Sequence, residues 1–308
     1  MCRVLAYLGE PVALDHLLFA PDNSLVRQSY APRRLPMLNL AGFGLAAWDA
    51  HSLDPAVPFL YHTVALAAFD ANLRALARKV RGTSVLAHVR GIEFDERSLV
   101  GPQYLHPFLY RGMHVALAHN GNLAGLAEMR PALQRHIRPE IGRLLTTNLD
   151  SEWIYALFLS QLADPAADHS GTELADAVVA TLGILAAVRG ECAIDTSSSV
   201  NLFVANRHAI VGTRYVFDFG CFPIADAAQS VWNPFEYLSL WYSVGREYRH
   251  HEGEWKMIGG RRGASSVLIA SEPLTRDEST WLELPEYSLM SFDIGGAQPS
   301  IQFRFVSV

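Results

Sequence analysis

The sequence predicts an α+β fold in which β-sheets pack between layers of helix. Strand patterns dominate the two ends of the 308-residue chain, helical patterns occupy the middle, and no repeat or low-complexity tract interrupts it. Strands and helices that are grouped in this way are typical of sheets covered by helical layers. Because sheet-rich single domains reach this length and no linker divides the chain, we expect one domain over residues 1–308, with the strand-rich C-terminal part integral to the sandwich.

The first half carries four short apolar runs that predict buried strands, at residues 4–8, 42–48, 83–89 and 113–118. The first run comes just after Cys2, and a strand there would hold the start of the chain rigidly. Apolar residues spaced three or four apart predict helices over 64–80 and 123–137. Polar capping residues at 148–151 precede a third helix, which is predicted over 152–162.

The second half opens with an apolar stretch at 177–188, which predicts a core helix covered on several sides. It falls short of the roughly 20 residues that a membrane span needs, so we expect no membrane-spanning segment. Charges of both signs at 246–256 predict an exposed hairpin or loop. Clusters of Gly, Pro and Asn separate the predicted strands, which lie at 200–205, 209–214, 238–244, 266–270, 288–292 and 301–305.

The composition argues against several kinds of partner. The chain has 25 Lys and Arg against 31 Asp and Glu, and its net charge of −6 disfavours a nucleic-acid partner, which needs a basic face.

The N-terminal apolar run is too short for a signal peptide. The 12 histidines lack the His-Glu-x-x-His spacing, and no Cys-x-x-Cys motif occurs, so we expect neither a metal site nor a cofactor.

The three cysteines do not form a disulfide framework, which favours a reducing cytoplasm. Cys192 and Cys221 have no basic neighbour in sequence and are predicted to be buried, small apolar residues. Cys2 differs, because removal of Met1 would leave a thiol and a free α-amino group on one residue. The amine, with an ordinary pKa of about 7.7–8.0, can take the proton of the thiol near neutral pH. A cysteine without a catalytic role is the alternative.

Three further motifs carry side chains that suit an amino-acid substrate, and each has a structural alternative. Arg90 follows a predicted strand and can grip a carboxylate with two parallel hydrogen bonds, or it is a surface arginine. Asn120 and Gly121 follow another predicted strand and offer two donors to an oxyanion, or they form an ordinary Asn-Gly turn. Asp150 can bind an ammonium group, or it caps a helix.

These groups and Cys2 together fit a single substrate. A free amino acid offers a carboxylate to Arg90 and an ammonium group to Asp150. Its side-chain amide would be attacked by the Cys2 thiol, and Asn120 and Gly121 would hold the resulting oxyanion. Glutamine matches that description.

The chain resembles the class II glutamine amidotransferases, the N-terminal-nucleophile family, and is similar within them to the stand-alone group. The motifs that carry the resemblance are short, but they follow one another in order from end to end. They are Met1-Cys2-Arg3-Val4-Leu5, residues 39–44 and 87–90, His106-Pro107-Phe108, His119-Asn120-Gly121, Asp150-Ser151-Glu152, and Ser271-Glu272-Pro273-Leu274 followed by Trp281.

The resemblance implies a four-layer αββα sandwich of the N-terminal-nucleophile hydrolase type, with Cys2 at the end of a central strand. The roles it implies are nucleophile for Cys2, oxyanion donors for Asn120 and Gly121, carboxylate ligand for Arg90 and ammonium ligand for Asp150. His106 is expected to shape the same pocket, and a structural histidine satisfied by the backbone is the alternative.

Two departures from the family pattern concern the substrate more than the nucleophile. After Arg90 the family usually has a small residue and then threonine, whereas this chain reads Gly91-Ile92-Glu93-Phe94. Related chains usually carry aspartate where this one has Ala41. A γ-glutamyl amide of another amine is therefore an alternative to free glutamine.

The expected function is hydrolysis of glutamine or a γ-glutamyl conjugate through a thioester on Cys2, which releases glutamate and ammonia or an amine. Either a separate enzyme accepts the ammonia, or hydrolysis is itself the task, as in the γ-glutamyl hydrolase of ergothioneine biosynthesis, which this chain resembles at its N-terminal motif. A catalytically silent subunit that binds a partner or ligand is the alternative, and retention of Met1 would favour it.

Overall fold

Two large β-sheets, with helices and a two-stranded hairpin on their outer faces, form the fold of the described residues. The computed structural model describes residues 2–34, 37–92, 100–221 and 239–308. In these ranges the strands are β1 (Arg3–Ala13), β2 (Phe43–Trp48), β3 (Phe59–Thr63), β4 (Arg81–Val89), β5 (Ala116–Gly121), β6 (Ser198–Ala205), β7 (Ala209–Arg214), β8 (Val216–Phe217), β9 (Trp241–Gly245), β10 (Glu247–His251), β11 (Glu254–Ile258), β12 (Ser266–Ala270), β13 (Leu282–Glu283), β14 (Ser288–Asp293) and β15 (Ser300–Phe305). The α-helices are α1 (Asp15–Leu18), α2 (Leu25–Gln28), α3 (Ala71–Ala77), α4 (Leu126–Leu133), α5 (Pro139–Gly142), α6 (Asp150–Gln161) and α7 (Gly171–Glu191).

The first sheet, called sheet I, has β1 at its centre. Its order within the described ranges is β13-β9-β12-β1-β4-β2-β3, and neighbouring strands are antiparallel. β1 suits this position because it is apolar on both faces: Val4, Ala6 and Leu8 alternate with Leu5 and Tyr7, and all five are fully buried. The strand predicted after Cys2 is therefore confirmed, and it continues to Ala13.

The second sheet, called sheet II, consists of β5, β6, β7, β14 and β15. Its order in the described ranges is β15-β14-β7-β6-β5, and β8 pairs with the start of β6. All eight residues of β6 are buried, which suits a strand that has neighbours on both edges and packed layers on both faces. The pairing of β5 with β6 sets Asn120 opposite Asn201 and Gly121 opposite Val200.

The two sheets pack face to face over an apolar core, and helices cover their outer faces. Side chains of both sheets meet between them, among them Val4, Leu86, Ala118, Phe203 and Ile269. Apolar residues of α1, α2, α3 and the β10–β11 hairpin pack on the outer face of sheet I. Those of α4 to α7 pack on the outer face of sheet II. The order helix, sheet, sheet, helix confirms the predicted αββα sandwich.

The predicted core helix is α7, and it is longer than its apolar stretch. A capping box begins it: the Ser170 side chain accepts from the Glu173 backbone, and the Glu173 carboxylate accepts from the Ser170 backbone. Leu174, Val178 and Leu182 are buried at helical spacing. In the part of the chain that the structure describes, α7 alone has the length and apolar composition of a membrane span, and half of that window is buried inside the protein.

Two predicted α-helices are shorter than expected, and each begins later in the chain than predicted because of the residue before its first turn. Within 64–80 the α-helix spans only Ala71–Ala77, since the Asp70 carboxylate accepts from the Leu73 amide at 3.0 Å and so sets the first turn. Within 123–137 the α-helix spans Leu126–Leu133 and follows Gly125, whose φ of 71° is left-handed. The strand predicted at 238–244 begins outside the described residues, and within them the strand is β9, Trp241–Gly245.

The prediction for the other two cysteines is wrong. Cys221 is exposed, and Cys192 is half-buried. Cys192 caps the C-terminal end of α7, where the chain leaves the core. The low polarity of a thiol favours burial, but Cys192 lies at the end of a helix and Cys221 lies in the turn region after β8.

Candidate active site

Cys2 lies directly before β1, where the antiparallel strand β4 ends. It is buried, with 8% of the residue exposed. Its Sγ is 3.5 Å from the amide nitrogen of Gly91 and 3.6 Å from the carbonyl oxygen of that residue. The Arg3 guanidinium donates to the Cys2 carbonyl at 3.0 Å. These contacts hold the thiol beside the segment that follows β4. Met1 lies outside the described residues.

Arg90 follows β4 and is buried, so the surface-arginine alternative is wrong. Its backbone is held on one side by Ala41 and Gly42: the Arg90 amide donates to the Gly42 carbonyl at 2.9 Å, and the Ala41 amide donates to the Arg90 carbonyl at 3.0 Å. One guanidinium nitrogen donates to the Tyr104 carbonyl at 2.9 Å. The Nε has no hydrogen-bond partner within the described residues. A buried guanidinium with unused donors suits an anionic ligand.

Asn120 and Gly121 are the last two residues of β5, so the ordinary-turn alternative is also wrong. The Asn120 side chain is buried, and its amide nitrogen donates to the Ser271 hydroxyl oxygen at 3.1 Å. A Cβ added at Gly121 would lie 1.7 Å from the carbonyl oxygen of Ser199 on β6. Glycine is therefore required for the close approach of the two backbones at this end of sheet II.

Asp150 is the first residue of α6 and does not occupy the N-cap position, which is Leu149. Its carboxylate accepts from the Leu123 amide at 2.9 Å and from the Ser151 amide at 2.7 Å. The positive end of the helix dipole also favours a negative charge there. Because Leu123 comes two residues after Gly121, these bonds bring Asp150 to the end of β5 that carries the predicted oxyanion donors.

His106 lies in the interior of the protein beside β2 and β4. Its ring centroid is 4.2 Å from that of His88 and 4.9 Å from that of Phe108. Burial, reinforced by the nearby His88 and Arg90, holds the pKa of His106 well below its usual range. Neither ring nitrogen has a hydrogen-bond partner among the residues described, so backbone groups there do not satisfy it. A Cβ on Gly44 would lie 1.9 Å from the His106 carbonyl oxygen, which shows how closely β2 approaches.

The ends of β1, β4 and β12 meet at Cys2, and Ser271 links them to β5. Val89 pairs with Arg3 across β4 and β1, which sets Arg90 near Cys2. Ser271 follows β12 and contacts both the Val4 amide and Asn120. Sequence reasoning noted Ser271 as part of a family motif but gave it no role. Its position directly after a predicted strand was the available signal.

A cavity in the described part of the chain lies away from these residues. It has a volume of about 640 Å³ and lies beside α1, α2 and α3. Its lining includes Phe19, Arg27, Leu40, Phe69 and Arg74, and none of the predicted site residues. Among the described residues no group of three or more His, Cys, Asp and Glu side chains could hold a metal ion.

A family model described as "Glutamine amidotransferases class-II" matches residues 29–231 of the chain. The match contains all of the chain from β2 to β8 and includes Arg90, His106, Asn120, Gly121 and Asp150. The chain belongs to the class II glutamine amidotransferases. It is thus an enzyme of that family, and the family predicted from the sequence motifs is confirmed.

Two curated relatives show the range of this family. The probable glutamine amidotransferase DUG3 of Saccharomyces cerevisiae is 28% identical over 310 residues, covering 94% of this chain and 81% of the yeast protein. The gamma-glutamyl-hercynylcysteine sulfoxide hydrolase of Mycolicibacterium smegmatis is 27% identical over 217 residues, covering 70% of this chain and 79% of that protein.

Solved structures share the fold. A glutamine aminotransferase class-II domain protein from Silicibacter pomeroyi superposes with a TM-score of 0.57 at 19% identity and covers 98% of each chain. The glutamine phosphoribosylpyrophosphate amidotransferase of B. subtilis, complexed with ADP and GMP, gives a TM-score of 0.57 at 15% identity. That match covers all of this chain and 50% of the B. subtilis chain.

Proposed function

We propose that this enzyme hydrolyses a γ-glutamyl amide, either glutamine or a γ-glutamyl conjugate, through a thioester on Cys2. The observation that carries the proposal is a set of contacts between element ends. Cys2, before β1, touches Gly91, which follows Arg90 at the end of β4. Ser271 joins Val4 of β1 to Asn120 of β5, and Asp150 at the start of α6 accepts from the Leu123 amide, two residues after Gly121. Cys2, Arg90, Asn120 and Asp150 each supply one of the groups that a γ-glutamyl substrate requires.

Before any reaction, removal of Met1 frees the α-amino group of Cys2. That amine takes the proton of the thiol, and the thiolate attacks the amide carbon of the substrate. The Asn120 side-chain amide and the Gly121 backbone N–H stabilise the oxyanion of the tetrahedral intermediate. The intermediate collapses, and the C–N bond breaks as the α-ammonium group protonates the departing ammonia or amine. Water then attacks the thioester, releases glutamate and restores the thiol.

Recognition of the γ-glutamyl group rests on charge. The Arg90 guanidinium holds the α-carboxylate, and the Asp150 carboxylate holds the α-ammonium group. His106 shapes the pocket behind them as a neutral, buried ring.

Residues 1–308 act as one domain, with no cofactor and no metal.

The leaving amine is the open part of the proposal. DUG3 is named a probable glutamine amidotransferase, and the mycobacterial relative is named a hydrolase of a larger γ-glutamyl conjugate. A panel of glutamine and γ-glutamyl amides of amino acids and aryl amines separates the two cases. Turnover of glutamine alone favours delivery of ammonia to a separate accepting enzyme, whereas turnover of the conjugates favours hydrolysis as the task. We place the reaction in the cytoplasm.

The proposal is tested by covalent labelling of Cys2 with a glutamine-mimicking electrophile, followed by intact-mass measurement. The expected result is one adduct on the wild-type protein and on the exposed-cysteine variant Cys221→Ala, and none on Cys2→Ala. Hydrolysis should fall more than about a thousandfold in Cys2→Ala, because the nucleophile is lost. The same mass reports whether Met1 is present. A protein that begins at Cys2 yet forms no adduct would show the silent subunit instead.

A further inference from the structure

Ser271 occupies a junction between the two sheets. It follows β12 directly, and its backbone amide donates to the Val4 carbonyl at 3.0 Å, which continues the pairing of β12 with β1. Val267 and Ile269 of β12 face the core between the sheets. Because side chains alternate along a strand, the Ser271 side chain points to the same space. The residue is buried, with 5% exposed.

The Ser271 hydroxyl oxygen accepts two hydrogen bonds that come from different sheets. The Val4 amide of β1 donates to it at 3.0 Å, and the Asn120 side-chain nitrogen of β5 donates to it at 3.1 Å. A hydroxyl has two acceptor lone pairs, so both are used. A single oxygen atom therefore connects the strand that follows the nucleophile to the side chain that supplies the oxyanion donor.

We propose that Ser271 is a positioning residue that sets the orientation of the Asn120 amide relative to Cys2. The amide carries two N–H bonds. One is committed to Ser271, and this leaves the other to donate to the oxyanion. The carbonyl oxygen of the Asn120 side chain has no hydrogen-bond partner in the described part of the chain. The bond to Ser271 is thus what fixes the rotation of the amide there, and preorganised donors are worth most when they need not turn during the reaction.

Glu272, the residue after Ser271, helps to position the peptide unit of Cys2 through Arg3. The Glu272 carboxylate is buried and lies 3.7 Å from the Arg3 Nε, and Arg3 donates to the Cys2 carbonyl. Glu272 also accepts from the Arg34 amide at 2.9 Å. Residues 271–272 therefore position both the oxyanion donor and the peptide unit of Cys2, although neither residue touches the substrate in the proposed mechanism.

This inference rests on the proposed function, and it is tested by kinetics of Ser271 variants with the best γ-glutamyl amide. In Ser271→Ala we expect kcat to fall about 10- to 100-fold, below the roughly 10²- to 10³-fold cost of losing an oxyanion donor outright. KM should change less than about threefold, because the clamp on the substrate is untouched. Ser271→Thr keeps the hydroxyl and should recover most of the loss.

The matched control is Ser266→Ala on the same strand. The Ser266 hydroxyl also accepts from a β1 amide, that of Glu10 at 3.3 Å, but at the opposite end of β1 from Cys2. It is fully buried, so the variant reports the cost of deleting a buried hydroxyl between β12 and β1. We expect its kcat to stay within about twofold of the wild type.

A double-mutant cycle with Asn120→Ala decides between positioning and general stability. If Ser271 acts through Asn120, Ser271→Ala should change kcat less than about twofold when Asn120 is already alanine. Independent, multiplying losses would overturn the inference, as would equal losses in Ser271→Ala and Ser266→Ala. Failure of the proposed function is distinguishable, because the wild type would then neither hydrolyse a γ-glutamyl amide nor form the Cys2 adduct.

Discussion

Arg90 is the residue on which recognition of the α-carboxylate depends in the proposed mechanism. It is buried, and one of its donors is used by the Tyr104 carbonyl. The guanidinium also lies over the Tyr104 ring, 5.9 Å from its centroid. Tyr104 therefore holds the planar group in place from two directions, and the remaining donors stay available to a ligand.

Substitution of Arg90 by lysine should weaken recognition of the α-carboxylate specifically. An ammonium group keeps the charge but cannot form two parallel hydrogen bonds. We expect kcat/KM for glutamine to fall about 10- to 100-fold, which corresponds to one hydrogen bond to a charged group. The measurement is steady-state kinetics with glutamine and with 4-aminobutanamide, which lacks the carboxylate.

The control for this prediction is Arg81→Lys, at the other end of the same strand. Arg81 is exposed and donates to the Pro11 carbonyl. It should leave kcat/KM for both substrates near the wild-type values. A loss in Arg90→Lys that is equally large for 4-aminobutanamide would contradict the assigned role.

The types of residue in the site were predictable from the sequence, but their connections were not. Cys2, Arg90, Asn120 and Asp150 stand out because each has chemistry that suits one part of an amino acid. Burial of Arg90 and the placement of Asn120 within β5 depend on partners far away in the chain. The contact of Ser271 with Asn120 joins residues 151 positions apart, and no local pattern indicates it.

At the scale of secondary structure, local hydrogen bonds decide where the helices begin. α7 starts at a capping box, and the amide of its first residue, Gly171, also donates to the Asp293 carboxylate of β14 at 2.6 Å.

The β10–β11 hairpin turns at Glu252 and Gly253, whose φ values of 51° and 88° suit a tight two-residue turn.

Removal of the α7 cap should lower stability without affecting catalysis. Ser170→Ala deletes the acceptor for the Glu173 amide, and the loss of an N-cap of this kind costs about 1 kcal/mol. For a protein of this size we expect the midpoint of thermal unfolding to fall by roughly 2 °C. The catalytic rate should not change, because α7 lies on the outer face of sheet II.

A suitable comparison is Ser52→Ala, which removes an exposed serine from the loop after β2. Such surface substitutions usually change stability by no more than about 0.5 kcal/mol. Equal midpoints for the two variants would show that the capping box contributes little.

The strands were easier to predict than the helix ends. The strand predictions at 209–214 and 266–270 coincide with β7 and β12, because runs of buried β-formers are visible in sequence. β5 extends beyond its predicted end to include His119, Asn120 and Gly121. Asn and Gly have low strand propensity, and it is the pairing with β6 that keeps this segment extended.

At the scale of the whole molecule, the packing of the two sheets leaves a pair of histidines in the buried interior. His88 and His106 are each almost completely buried. Burial, and next Arg90, holds the pKa of His88 well below its usual range, and burial acts the same way on His106. Both rings are therefore neutral in the folded protein, while in the unfolded chain they take up protons below a pH of about 6.5.

The folded state should lose stability as the pH falls below about 6.5. The unfolded chain binds more protons than the folded protein there, so the free energy of unfolding rises with pH and falls on acidification. Each histidine contributes a slope of about 1.4 kcal/mol per pH unit until the lower, folded pKa is reached. Urea unfolding at pH 7.5, 6.5 and 5.5 measures how the free energy of unfolding changes with pH. His106→Phe should reduce that slope by the contribution of one histidine.

Phe108→Leu is the matched variant, because it disturbs the same packing without removing a titrating group. It should lower the free energy of unfolding at every pH and leave its slope unchanged. An unchanged slope in His106→Phe would show that His106 does not couple folding to protonation.

The αββα architecture was predictable only with the help of the family resemblance. Composition and the grouping of elements predicted sheets between helical layers, and the structure has this arrangement. The order of strands depends on pairings such as β1 with β12, which joins Leu5 to Ala270. Long-range pairings of this kind arise from the packing of the whole chain, and the hydrophobic pattern of one segment is compatible with several of them.

The central position of β1 has a practical consequence for work with this protein. β1 has neighbours on both sides in sheet I, and the proposed base is the amine at its leading end, whereas β15 lies at the edge of sheet II. A purification tag or fusion partner added before Cys2 would block that amine and crowd the nucleophile. The same addition after residue 308 would extend only from an edge strand, so protein for kinetic measurements should carry it there.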